Sequence, residues 1–342
     1  MAARPNNLTR AIIDVTVDRG LKEIGEDPQR SIRKLTDMGR QFNRGRFMDE
    51  IYAIVQELLR NENCPFYTAF EHLLRFTSRK NLKEFGINIG YNSLTFGAKK
   101  IRETEEKSHY LIPWSIVYRM DDKVPGSVSV ERVAGLIDQG KKIGIYTYIF
   151  CASGSPAQVS SLFEMFAQNP DCAFLCFLED VELDPQQLSL LKNCMNMLLL
   201  MPGGTENTCV NIQNLKKQKS LYGIYGSYSD ETCGEWTKGD ALQNLERHDA
   251  AFVVMRPSSL CSEETIQEMS TFVKSMRTKP VYPFFLFDYY SDISEVGRIC
   301  SSRQGFLEIL ENGSVNTING ITGEIGKEKN LEQILREALP FD

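Results

Sequence analysis

Gly144-Ile145-Tyr146-Thr147-Tyr148-Ile149-Phe150-Cys151-Ala152-Ser153-Gly154-Ser155-Pro156 opens as an unbroken apolar run and ends in small, turn-forming residues. A run without polar alternation suits a strand buried on both faces. A segment of helical period, Ala157 to Gln168, follows it. The same unit recurs on both sides. Apolar runs at Leu111 to Tyr118, Ile143 to Phe150, Ala173 to Leu178, Met197 to Met201, Tyr222 to Tyr225, Ala251 to Met255 and Val281 to Phe287 read as strands. Ser129 to Gln139, Ala157 to Gln168, Pro185 to Lys192, Asn207 to Lys217, Lys238 to Arg247 and Ser262 to Met276 read as the helices between them. Six such crossovers imply a parallel sheet covered by helices, as a barrel or as an open doubly wound sheet, and periodicity does not choose between the two. In either, ligands bind at the carboxyl ends of the strands.

Upstream the pattern is helical. Ser31 to Arg60 carries apolar residues near a 3.6 spacing, at Ile32, Leu35, Met38, Phe42, Phe47, Ile51, Ile54, Leu58 and Leu59. Asn61 to Pro65 breaks it, and a second helical stretch through Phe70 and Leu74 is expected to end near the Gly- and Asn-rich segment Gly86 to Gly97. Downstream, Phe306 to Leu310 and Val315 to Ile318 flank Asn312-Gly313, a hairpin signal, and Leu331 to Leu339 reads as a final helix. The expected domains are a helical region over 1–108, a partial α/β barrel over 109–295 and a small α+β extension over 296–342.

The 342 residues suffice for a sizeable core, and a net charge of -6 argues against a general affinity for nucleic acid. The basic run Arg30 to Arg46 reads as a solvated helix face. No apolar stretch of bilayer-spanning length and no signal-peptide pattern is present, so a cytoplasmic protein without membrane association is expected. Nine scattered cysteines fit reduced thiols acting as small core residues.

Pro113-Trp114-Ser115-Ile116, then the run from Gly144 to Pro156, then Cys300-Ser301-Ser302-Arg303-Gln304-Gly305-Phe306-Leu307-Glu308-Ile309 and Asn312-Gly313-Ser314-Val315 together resemble the radical SAM proteins with a SPASM-like tail. The likeness extends to a bacterial branch with a helical lead-in containing a segment like Asn88-Ile89-Gly90-Tyr91-Asn92. It implies a partial (βα)6 barrel of radical SAM type. It also implies a C-x3-C-x2-C loop after the first strand, whose thiolates hold a [4Fe-4S] cluster. The matching loop here, Arg119 to Ser127, has no cysteine, and its Asp121-Asp122 is a hard oxygen pair unsuited to a cluster. The family's Gly-Gly-Glu-Pro, which contacts the S-adenosylmethionine amine, corresponds to Ser153-Gly154-Ser155-Pro156, with serine for glutamate. Cys300 lacks the second tail cysteine that the family places near Asn316 to Ile318.

The resemblance therefore implies a pseudoenzyme: the scaffold kept, the iron-sulfur chemistry lost, and no cofactor expected. Such a chain acts by binding, as partner of an active radical SAM paralogue or by recognising a peptide or small ligand. The alternatives are an S-adenosylmethionine-binding protein without a cluster, its cofactor site at Ser153, Gly154, Ser155 and Pro156, and an enzyme with a reused crevice. Candidate catalytic groups for the latter are Asp121, Asp122, Cys151 and Glu179. Cys151 reads either as a reactive thiol or as a buried small residue. Asp121-Asp122, Glu179-Asp180 and Asp288 read either as a site for Mg2+ or a cationic ligand or as solvated loop acids. Cys172 and Cys176 share one strand face and read as core rather than as a metal pair; Gly203-Gly204-Thr205 reads as a turn rather than as a phosphate cradle, and Trp236 and Tyr289-Tyr290 as partner-facing or packed aromatics.

Overall fold

The computed structural model describes residues 7–23, 28–42, 46–238, 240–258, 261–301, 303, 305–326 and 328–341. The helical region comprises α1 (Asn7–Glu23), α2 (Pro28–Phe42), α3 (Arg46–Leu58), α4 (Phe66–Phe76), α5 (Arg79–Ile87), a π-helix over Asn88–Gly97 and α6 (Ala98–Ser108). Then come β1 (Ser115–Met120), α7 (Val130–Ile143), β2 (Thr147–Ala152), α8 (Pro156–Gln168), β3 (Ala173–Leu178), α9 (Pro185–Leu191), β4 (Met197–Pro202), α10 (Glu206–Gln218) and β5 (Tyr222–Tyr228). After them follow α11 (Cys233–Thr237), α12 (Asp240–Gln243), β6 (Phe252–Pro257), α13 (Glu263–Thr278), β7 (Phe285–Asp288) and α14 (Tyr289–Cys300). β8 (Glu308–Ile309), β9 (Ser314–Thr317), β10 (Gly320–Glu324) and α15 (Leu331–Ala338) end the chain.

Strands β1 to β7 pair in sequence order and in parallel, which resolves the choice that periodicity left open. A doubly wound sheet reverses its strand order and takes helices on both faces. Here the order never reverses, and α7, α8, α10 and α13 all pack on one face, in a core shared with Ile116, Tyr118, Phe150, Phe174, Leu199, Ile224 and Val253. The other face curls inward, so that Val117, Ile149, Phe177, Leu198, Leu200, Tyr225 and Val254 from six strands meet in one lumen cluster. This is the partial α/β barrel expected, with six crossovers. Period-two alternation sorts each strand between the two layers.

Local chemistry fixes where each crossover helix starts. Ser129, Ser155, Asp184, Thr205 and Ser262 each cap the helix that follows a strand by accepting its free backbone N–H. At the far end of α7, Gly144 takes φ +106°. A Cβ there would lie 2.6 Å from the Gly97 carbonyl, so the glycine also lets the π-helix approach.

Several boundaries differ from expectation. The first two strands begin four residues later than the apolar runs and extend to Met120 and Ala152, because Ser115↔Thr147 through Met120↔Ala152 form the ladder. Arg119 and Cys151 are thus strand residues, and the loop after β1 starts at Asp121. The stretch Ser31 to Arg60 is two helices, with residues 43–45 outside the described set, as are the side chains of Leu35, Met38, Phe42, Phe47 and Ile51. The expected helix from Lys238 to Arg247 contains Gly239, also outside it, and is mostly shorter pieces.

The Gly- and Asn-rich segment does not end the helical region. It continues as the π-helix, whose wider turn lets two asparagines on one face reach the sheet. Asn88 Nδ2 donates to the carbonyls of Pro170 (2.9 Å) and Cys172 (2.8 Å), and Asn92 Nδ2 to Asp171 (2.8 Å) and to Asn88 Oδ1 (2.8 Å). Both are fully buried. Ser93 accepts from Thr147 Oγ1 at 2.9 Å, Asn81 donates to Cys194 at 3.5 Å, and Phe66 and Phe70 meet Phe285. These partners lie at or just before strand starts, so α4, α5 and the π-helix close the amino-terminal end of the barrel.

At the other margin, β8 pairs in parallel with β1 and antiparallel with β9, placing the expected hairpin on the barrel sheet itself. Gly313, at φ +84°, makes its turn. The third strand, β10, pairs antiparallel with β9, beyond the hairpin read from the sequence. β7 and β8 do not pair, and the seam between them is filled by α14, whose Tyr289 and Ile293 join the lumen cluster. No helix among the described residues is long and apolar enough to cross a membrane.

Replacing Asn88 with Ala would remove the Asn88 donor from the Pro170 carbonyl and one of two donors from the Cys172 carbonyl, which also accepts from Asn196 Nδ2 at 3.0 Å. A loss of about 1 to 2 kcal/mol in urea unfolding is expected. An unchanged midpoint and slope would show that the π-helix does not hold the barrel floor.

Candidate functional site in the barrel lumen

At the carboxyl ends of the strands, alternation aims Arg119 of β1, Cys151 of β2, Phe177 of β3, Tyr225 of β5 and Arg256 of β6 into the lumen. Glu308, on the neighbouring strand β8, meets Arg119 on the same face. Arg119 Nε lies 2.6 Å from Glu308 Oε1, and Glu308 Oε2 accepts from Asn316 Nδ2 at 3.0 Å. Glu308 is only 1% exposed. Burial alone would lower the Arg119 pKa, but the neighbouring carboxylate more than offsets this and holds the guanidinium above its ordinary value.

Arg256 has a different environment. Its guanidinium carbon sits 5.6 Å from the Phe177 ring, 6.0 Å from Tyr225 and 5.9 Å from Tyr289. No carboxylate pairs with it among the described residues. Aromatic faces stabilise a cation without neutralising it, so Arg256 remains able to receive an anionic group. Beside it, Cys151 Sγ lies 3.9 Å from the Tyr289 hydroxyl. The thiol is buried and burial pushes its pKa up, so Cys151 is a neutral thiol rather than a nucleophile.

The two loops singled out in the sequence are tied to each other. The Asp122 carboxylate accepts from Ser155 N at 2.7 Å and from Ser155 Oγ at 2.5 Å, and those bonds lower its pKa. Lys123 Nζ donates to the Ser153 carbonyl at 3.1 Å. Ser155 is also the cap of α8 and Pro156 its first residue. A Cβ at Gly154 would fall 1.8 Å from Gln158 Oε1 and 2.9 Å from Asp122 Oδ1. Asp121 accepts from the Lys123 backbone N–H at 3.0 Å. Glu179 and Asp180 point into solvent.

Asp288 is buried rather than part of an acidic surface group: it caps α14 by accepting from Ser291 N at 2.7 Å. Burial raises its pKa to about 6. Tyr228 is its electrostatic neighbour, without a well-directed hydrogen bond between them. Among the described residues no three His, Cys, Asp or Glu side chains are grouped to hold a metal. Cys172 and Cys176 are buried in the outer core, Thr205 after Gly203-Gly204 is a helix cap, and Trp236 packs on Gly226. Tyr289 packs in the lumen, with Tyr290 against Tyr289 and Phe306.

Arg256, Glu308 and Tyr225 were not singled out from the sequence, and Arg119 was named only as the start of a loop. The signal that could have found two of them is an arginine closing an apolar strand, in Tyr118-Arg119-Met120 and Met255-Arg256. Glu308 gives no such signal, because its partner lies 189 residues away. Outside α14, beside this pair, lies a cleft of about 780 Å3 lined by Tyr290, Phe306, Asn316, Lys274, Glu295 and Arg298.

No protein-family model matches the chain, and no curated protein matches it. Among solved structures it is similar to SuiB of Streptococcus suis bound to S-adenosylmethionine, at 10% identity and TM-score 0.49 over 70% of this chain and 67% of that one. SuiB bound to the precursor peptide SuiA gives 10%, 0.49, 68% and 67%. Hexahistidine-tagged anSMEcpe with bound AdoMet gives 10%, 0.42, 66% and 81%.

Two outcomes follow from the lumen charges. Glu308→Ala leaves the Arg119 cation without its partner, and a loss of about 2 to 3 kcal/mol is expected in urea unfolding. Arg119→Met with Glu308→Leu should lose less; equal losses would mean that the pair is not coupled. The raised Asp288 pKa makes its contribution to stability fully present below the ordinary value of 3.8 and lost as pH rises through about 6. Asp288→Asn, which keeps a capping oxygen, should therefore gain up to about 3 kcal/mol at pH 7 and little at pH 3. Parallel pH–stability curves for the two proteins would exclude this assignment.

Proposed function

We propose that this chain is a non-catalytic relative of radical SAM proteins that works by binding, taking an anionic small ligand or the carboxylate of a peptide at the carboxyl end of the lumen. The observation that carries this reading is the lacing of the two loops on which the family's chemistry would rest. Asp122 spends its carboxylate on Ser155, and Ser155 spends its hydroxyl on Asp122 and on the cap of α8.

The residues present do not fit a [4Fe-4S] cluster. The loop Asp121 to Ser127 offers no thiol, and the nearest lumen thiol, Cys151, is buried and held neutral, whereas cluster ligands must be thiolates. Nor is there a carboxylate at Ser155 to meet an amine. What the lumen does offer is Arg256, a cation without a counter-charge, and the adjoining cleft beside Arg119 and Glu308 is large enough for a peptide segment. An active paralogue, or its peptide substrate, is the partner class that this reading favours, in a cytoplasmic setting.

A second reading, S-adenosylmethionine bound without a cluster, draws on the same Arg256, which could accept that molecule's carboxylate. The two readings separate in one experiment. Anaerobic reconstitution with iron and sulfide should yield no stable iron-sulfur absorbance and no S-adenosylmethionine cleavage; either signal would overturn the non-catalytic assignment. Calorimetry with S-adenosylmethionine on the untreated protein should give no saturable heat under the first reading. Under the second it should give heat that Arg256→Gln abolishes.

A further inference from the structure

We propose that the lower barrel lumen is a binding site for a neutral, apolar small molecule of about ten non-hydrogen atoms, distinct from the charged carboxyl end. A cavity of about 330 Å3 lies there, walled by Trp114, Ile149, Leu175, Leu198, Val254 and Phe287. Phe85 and Ile89, from α5 and the π-helix, line its floor, and Ile293 and Val296 of α14 line the seam side.

Protein interiors pack as densely as organic crystals and leave few voids larger than a water molecule. A cavity of about 150 Å3 lined by Leu, Ile and Phe already stays dry and takes up benzene. The lumen cavity is about twice that size and falls in the lower range of small-molecule sites, about 300 to 1,000 Å3. At about 30 Å3 for each water-sized group, it accommodates about ten such groups. The aromatic and β-branched wall offers dispersion contacts to an aliphatic chain or a bicyclic ring.

The rim decides against a charged ligand. Its charged side chains are Arg277, Asp288, Asp292 and Glu295, three carboxyl groups against one guanidinium. Each makes a contact to protein, although the second carboxyl oxygen of Asp288 has no hydrogen-bond partner among the described residues. Arg277 donates to the Leu286 carbonyl at 2.8 Å and pairs with Asp292, Asp288 caps α14, and Glu295 meets Lys274 at 2.5 Å. A carboxylate head would find no free cation and an excess of like charge. A neutral molecule avoids both penalties.

The sequence holds only two tryptophans, and Trp114 lines the cavity while Trp236 packs on Gly226 outside it. In Trp236→Phe, contact between 1-bromooctane and Trp114 quenches the remaining indole. The expected result is saturable quenching, reversed by 1-octanol and not by octanoate, and weakened about tenfold or more by filling the cavity with Val254→Phe or, as a second variant, Ile149→Phe. Thermal melting establishes that each variant is folded. Calorimetry of 1-octanol with the unaltered chain gives a readout independent of any substitution. Quenching that rises linearly with concentration, persists in both filled variants or responds equally to octanoate would overturn the proposal, as would the absence of saturable heat. Because the test uses neither iron nor S-adenosylmethionine, its failure leaves the preceding functional reading standing.

Discussion

A parallel sheet has no face that tolerates water, and every other feature of this chain answers that constraint. The strands are apolar on both sides, so both the outer and the inner layer must be covered. Crossover helices cover the outside. Inside, curling the sheet lets strand side chains cover one another, but a seven-strand arc that does not close leaves three openings: the amino-terminal end, the seam between β7 and β8, and the carboxyl end. The first is closed by α4, α5 and the π-helix, and the second by α14.

The carboxyl end holds the two arginines that the strands aim into the lumen, and the placement is physical rather than incidental. An arginine in the middle of a lumen wall would lack both solvent and partner. At the strand ends Arg119 has Glu308 and Arg256 has three aromatic faces. The polar groups of the floor are neutral amides, whose hydrogen bonds are complete in Asn88 and whose cost of burial is correspondingly low. The lumen thus grades from an amide-tied floor through an apolar middle to a cationic top.

The loops after β1 and β2 are held by hydrogen bonds of their own. Ser155 starts a helix and Pro156 occupies its first position, so the local chain path is set by capping. Asp122, in the loop where the resemblance calls for thiolates, adds a hydrogen-bonded tie between neighbouring loops. A hydrogen-bonded Asp and Ser supply structure, while the buried Cys151 supplies packing.

Much of the barrel was legible in the sequence, because apolar continuity and helical period are local properties. Ala173 to Leu178 as β3 and Pro185 onward as α9 are read directly from them. Strand ends were less legible: β1 and β2 start late because ladder register, a property of two segments, sets where pairing begins. The Gly- and Asn-rich stretch looked like a helix end, since the carbonyls that hold Asn88 and Asn92 lie about 80 residues downstream. The order of strands and helices and the absence of thiols from the loop after β1 are local features that the amino-acid order alone carries. The curl of the sheet, the pairing of Glu308 with Arg119, the rings around Arg256 and the open middle of the lumen emerge in three dimensions. Each of these depends on side chains distant in sequence meeting across a shared interior, and no local pattern encodes such a meeting.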